Sequence, residues 1–142
     1  MKKNLNALDE LNKGATMGMD AINVVIKYVK DERFKNTLIE EYADYEAVSD
    51  KVKSIYKKKA SKKPHETSMM NKMMLSCGVK MNTIKDKSNS KLAEILIEGT
   101  TMGIVEGRKM LNNKKIDNEV SKLISAFVKI QEEHVETLKK YL

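Results

Sequence analysis

The chain holds few side chains suited to demanding chemistry, with one cysteine and two histidines among 142 residues. His65, Met69, Met73, Cys77 and Met81 step by four, and Met70 and Met74 lie alongside. In a helix that spacing stacks imidazole, thioether and thiol groups along one stripe. Such soft ligands suit copper(I). Methionines at helical spacing also fill irregular gaps in a core, which a short helix lying across a bundle requires, and packing is the reading taken here. Cys77 has no neighbouring base to activate it, and a single cysteine excludes an internal disulfide framework. No glycine-rich phosphate loop, Walker-type string, paired zinc cysteines or nucleophile elbow occurs.

The formal net charge of +7 is local. Lys51, Lys53, Lys57, Lys58, Lys59, Lys62 and Lys63 fall in a stretch with no acid, and the other basic residues balance the 20 acids. The run sits at the predicted end of a helix, where lysines complement the helix dipole, so a solvated terminus is one reading. A surface for phosphate, nucleic acid or an acidic partner is the other. Arg33 and Arg108 are the only arginines, and Tyr56 is the one aromatic among the lysines, too few for an interleaved pattern. Sequence-specific nucleic-acid readout is therefore not expected.

These residues are carried by long amphipathic helices, and the expected fold class is all-α. Leu5, Leu8, Asn12, Ala15, Met19, Ile22, Ile26 and Val29 step by three and four through a first helix, residues 4–30. A second, from 31 or 33 to 59, carries Leu38, Tyr42, Tyr45, Ser49, Val52 and Tyr56 at the same rhythm. A third, 90–111, is apolar over a wider arc. A fourth, 117–141, aligns Val120, Leu123, Phe127, Ile130, His134, Thr137 and Tyr141. Short loops make antiparallel hairpins of the first and last pairs. One domain, 1–142, is expected, with hairpin 1 at 1–59, a crossover at 60–88 and hairpin 2 at 89–142. Pro64 suits the first turn of a short crossover helix over 64–77. No apolar run is long enough to span a membrane, and the first residues do not form a signal peptide, so a cytoplasmic location is expected.

Gly14-Ala-Thr-Met-Gly18 recurs as Gly99-Thr-Thr-Met-Gly103, an offset of 85 residues. The same offset pairs Asp9 with Glu94, Leu11 with Leu96, Leu38 with Leu123, Ile39 with Ile124, Tyr42 with Phe127, Tyr45 with Ile130 and Tyr56 with Tyr141. A duplicated helical hairpin explains this pattern. Gly14, Gly18, Gly99, Gly103 and Gly107 lie inside predicted helices, where each costs about 1 kcal/mol against alanine. Close approach of helices 1 and 3 is the expected compensation, and a homodimer contact through the same faces is the alternative.

On its two hairpins, long crossover and paired Thr-Met-Gly helices, the chain resembles the ferritin-like superfamily, in particular small uncharacterised bacterial proteins built from two such hairpins. The resemblance implies a four-helix bundle. In catalytic members it also implies a glutamate on the first helix of each hairpin and Glu-x-x-His on the second, gathered around two iron or manganese ions. The matching positions here read Glu46-x-x-Ser49 and Gln131-x-x-His134, with Lys13 and Glu98 on the first helices. Each half keeps one ligand and replaces the other. Glu46, Glu98 and His134 remain as candidate metal ligands, and Lys13 is expected to pair with Glu46 or Glu98 in the interior. The expected function is that of a structural or interaction module, a homodimer without a complete di-metal site. The alternatives are an iron- or manganese-binding redox or storage protein and a non-specific polyanion binder acting through the lysine run.

Overall fold

A computed structural model of the chain describes residues 2–60, 81–113 and 115–142. Four long helices, α1 (Lys2–Ile26), α2 (Glu32–Ala60), α3 (Asn89–Leu111) and α4 (Asn118–Leu138), are followed by a 3₁₀ turn, Lys139–Tyr141. Among the described residues there is no strand. The His65, Met69, Met70, Met73, Met74 and Cys77 stripe, the expected helix over 64–77, Lys62 and Lys63 lie outside the described residues. Met81, at the stripe's edge, is buried.

Helix boundaries follow local chemistry. Asp31 accepts the amide of Phe34 at 2.9 Å, Ser88 accepts that of Lys91 at 3.3 Å, and Asp117 accepts that of Val120 at 3.0 Å. Each bond satisfies a first-turn donor that has no partner within the helix. The first helix ends at Ile26 rather than at residue 30. Tyr28 and Val29 donate instead to Val25 and Ile26 in a tightened turn, which buries Val29 and leaves Asp31 to begin the next helix.

Contacts at the two ends fix the helix directions. Asn4 Nδ2 donates to Asp117 Oδ2 at 2.9 Å, and the Asp117 amide donates to Asn4 Oδ1 at 3.0 Å, so α1 and α4 start together. Lys59, near the end of α2, meets the same aspartate at 3.4 Å. At the opposite end Lys87 sits 5.2 Å from the centre of the Tyr28 ring, and Tyr141 stacks on Phe34 at 4.4 Å. Helices α1 and α4 therefore run parallel, and both oppose α2 and α3. The connection from residue 60 to residue 89 joins opposite ends of the bundle, a distance set by the roughly 43 Å length of α2.

Leu8, Leu11, Val25, Phe34, Leu38, Val52, Leu92, Ile124, Phe127 and Leu138 form the centre of the core. Each such side chain contributes about 1.5–3 kcal/mol of burial. Among the described residues no helix is long and apolar enough to cross a membrane.

The glycines act differently from expectation. A Cβ on Gly18 would lie 2.7 Å from the Tyr45 ring, and one on Gly14 would lie 3.2 Å from Phe127. A Cβ on Gly103 would strike the Gln131 amide, and one on Gly107 would lie 2.5 Å from Val128. Gly14, Gly18, Gly103 and Gly107 thus admit side chains of α2 and α4 and, although α1 and α3 do touch, none of the four has its nearest neighbour on the other of those two helices. Aromatic and amide side chains are too large to fit between the hairpin helices unless the facing residue lacks a side chain.

Candidate functional site

Asn12, Glu41, Ser49, Gln131 and His134 are buried polar residues in an otherwise apolar interior. Asn12 and Ser49 satisfy each other across α1 and α2, the serine hydroxyl donating to Asn12 Oδ1 at 2.6 Å. The larger group lies between α2 and α4. His134 Nε2 is 2.9 Å from Asp44 Oδ2, its Nδ1 is 3.7 Å from Glu41 Oε1, and its ring meets Tyr45 edge-on at 4.9 Å.

The carboxylate of Asp44 can only accept, so Nε2 carries the proton and Nδ1 presents its lone pair to Glu41. At 3.7 Å that approach is too long for a hydrogen bond. Burial, reinforced by Asp44 and Glu40, pushes the Glu41 carboxyl up to about 8, so near neutrality Glu41 is mainly the uncharged acid. Burial holds His134 below the usual histidine range, against the opposing pull of Asp44. Burial likewise raises the Tyr45 hydroxyl, with the nearby Thr100 hydroxyl acting the other way. Among the described residues, Glu41 Oε2, Gln131 Oε1 and His134 Nδ1 have no hydrogen-bond partner. The interior thus holds a neutral acid facing a neutral imidazole, anchored to one half-exposed carboxylate.

Such a pair can hold or share a proton, but a base of this kind acts on a substrate only within hydrogen-bond reach. His134 and Glu41 are each about 95% buried, and the Tyr45 ring covers the imidazole. The arrangement is built to be closed.

The candidate ligands are not gathered. Glu46 and Glu98 are exposed whereas His134 is buried. Among the described residues no group of three His, Cys, Asp or Glu side chains is arranged to hold a metal ion. Glu46 instead lines a cleft of about 220 Å³ between α1 and α2, with Thr16, Met19, Asp20, Ser49, Asp50 and Lys53. Lys13 is not a buried cation. Its side chain is 38% exposed and meets Glu10 one turn earlier at 3.2 Å, because it lies one position off the seam that carries Asn12.

The lysine run is divided. Lys51, Lys57 and Lys58 are exposed, Lys59 engages Asp117, and Lys53 borders the cleft that Asp20, Glu46 and Asp50 line. Glu41 and Asp44 are the residues that sequence reasoning missed. A signal for Glu41 was present, since it lies three residues after Leu38 and four before Tyr45 on the buried stripe of α2. Compared with protein families, with characterised proteins and with solved structures, the chain shows no significant match.

Proposed function

We propose that the chain is a ferritin-like bundle of two related hairpins that lacks a complete di-metal site and serves as a structural or interaction module. The observation that carries this reading is the company His134 keeps. Its two nitrogens face Asp44 and Glu41, while Glu46 and Glu98, the other ligands the resemblance implies, stand at exposed positions. The ferritin-like part draws support from the parallel pairing of α1 with α4 and from a connection that runs between opposite ends. Within such a site His134 would need a free nitrogen directed at carboxylates on the neighbouring helices. Here one nitrogen is bonded to Asp44, and the other faces an acid that burial keeps protonated.

Self-association belongs to the same reading. Met102 and Val105 are about half exposed on α3, and Gly99 has open space above it. Sedimentation equilibrium checks this, with a dimer of the 16.2 kDa chain as the expected species.

The deciding test is metal content after expression in medium supplemented with iron and manganese, together with oxygen-dependent iron oxidation by the purified protein. Well under one ion per chain and no oxidation above buffer are expected. About two ions per chain with catalysed oxidation would replace this reading with that of a metal-binding redox or storage protein.

A further inference from the structure

The lysines at the end of α2 are joined in space by lysines from two distant parts of the chain. The Asn4–Asp117 bonds and the Lys59–Asp117 pair bring together the start of α1, the end of α2 and the junction between α3 and α4. Lys2 and Lys3, Lys57 and Lys58, and Lys115 are all exposed there. Lys3 and Lys115 come into side-chain contact, and this contact, with a smaller effect of burial, lowers the Lys3 ammonium below the usual lysine range. Two like charges brought together at a surface favour an anion between them. Asp117 is a charged acid at this end, and it offsets Lys59, with which it pairs, leaving the charges of Lys2, Lys3, Lys57, Lys58 and Lys115 in excess. Glu119 is the exposed acid beside it.

We propose that this end of the bundle binds the phosphodiester backbone of double-stranded nucleic acid without reading its sequence. The proposal rests on the interaction-module reading and gives the partner its chemistry. Helices packed 8–10 Å apart make an end face roughly 20 Å across. A duplex presents one charge per 1.7 Å of axis, so a face of that size meets several phosphates at once. Lysine supplies point charges where base reading would call for arginine forks, and this face draws its charge from lysine. Among the described residues the exposed large apolar side chains, Tyr28, Ile39, Met102, Val105 and Leu142, belong to other parts of the molecule. The described residues of the face therefore supply neither a stacking platform for bases nor an apolar wedge for a lipid surface.

The test is fluorescence anisotropy of the full chain with two labelled duplexes of about 20 base pairs and different composition, titrated between about 50 and 200 mM salt. Equal affinity for both duplexes is expected, with a log–log salt slope of about −3 to −5, corresponding to some four or five phosphate contacts. The triple variant Lys3→Glu/Lys58→Glu/Lys115→Glu should lose at least about tenfold in affinity and flatten the slope by about 3. Lys27→Glu/Lys30→Glu/Lys85→Glu makes the same change in net charge at the opposite end and should lose less than about threefold. Circular dichroism melting confirms that both variants fold, and a variant that does not is replaced by its lysine-to-glutamine counterpart. No duplex binding at 50 mM salt, equal losses in the two triples, strong preference for one duplex, or binding only to vesicles containing phosphatidylserine would each overturn the proposal. The metal-free module reading would survive any of these results, since it is decided by metal content.

Discussion

Tyr45 and Gln131 fill spaces left by Gly18 and Gly103, so those two glycines are fixed by what faces them. Gly18→Ala should lower stability by about 1–3 kcal/mol, because the Tyr45 ring is held by Phe127 and His134 and has little room to move. Gly99→Ala should raise stability by up to about 1 kcal/mol, since its Cβ meets nothing within 4 Å and helix propensity improves. Urea denaturation of the two variants, read against the parent, checks both signs. The sequence shows the five helical glycines plainly but not what lies opposite each of them, because the facing residues are on other helices. Glu41 supports a second expectation at this scale. Its carboxyl is raised from 4.5 to about 8, so its contribution to stability is present in full below about pH 4.5 and is lost as the pH rises through about 8. His134 is displaced downward, so its contribution is present above about 6.5 and is lost as the pH falls through its lower folded value. Between the folded value of His134 and about pH 6.5 the two trends oppose each other, and from about pH 6.5 to 8 the loss at Glu41 acts alone, so the pair favours the acid side of neutrality. Glu41→Gln keeps the shape of the neutral acid and should remove this loss, so its stability matches the parent's near pH 4.5 and exceeds it by a margin that grows up to about pH 8 and is constant above. Melting temperatures across pH 5–9 decide the matter.

At the scale of the element, Asp117 both caps α4 and ties it to α1 and α2. Asp117→Ala should cost about 1–2 kcal/mol, with Asn4→Ala costing less. The double variant should fall short of the sum, since the two share their hydrogen bonds, and a double-mutant cycle from thermal melts measures that coupling. The helices themselves were legible because their apolar steps of three and four are long and regular. The polar residues set on those stripes, Asn12, Ser49 and His134, were legible as interior positions for the same reason, and all three are buried. The 85-residue repeat is uneven by comparison. Leu11 and Leu96, Leu38 and Leu123, and Ser49 and His134 are buried in both halves, but Ile39 is 57% exposed where Ile124 is buried, and Glu46 is exposed where Gln131 is buried. A repeat read from residue types records common spacing, whereas burial also depends on which neighbour each helix meets.

For the whole molecule, the antiparallel hairpins followed from their short loops, but the assembly of the lysine-bearing end did not. Counting charge along the chain isolates residues 51–63, since acids elsewhere cancel the remaining lysines in sequence. Glu10 lies two turns into α1 and pairs with Lys13, while Lys2 and Lys3 point to the end face, so cancellation in a count is not cancellation in space. The interior site was harder still to read. Glu41 and Asp44 lie some 90 residues before His134, and their meeting with it depends on the antiparallel register of α2 against α4. The parallel course of α1 and α4 also has a practical consequence for handling the protein. Lys2 stands on the lysine-bearing face, while Leu142 follows the 3₁₀ turn packed on Phe34 about a bundle length away. An affinity tag joined ahead of Lys2 would sit on that face and screen it, whereas one joined after Leu142 would leave it open to solvent.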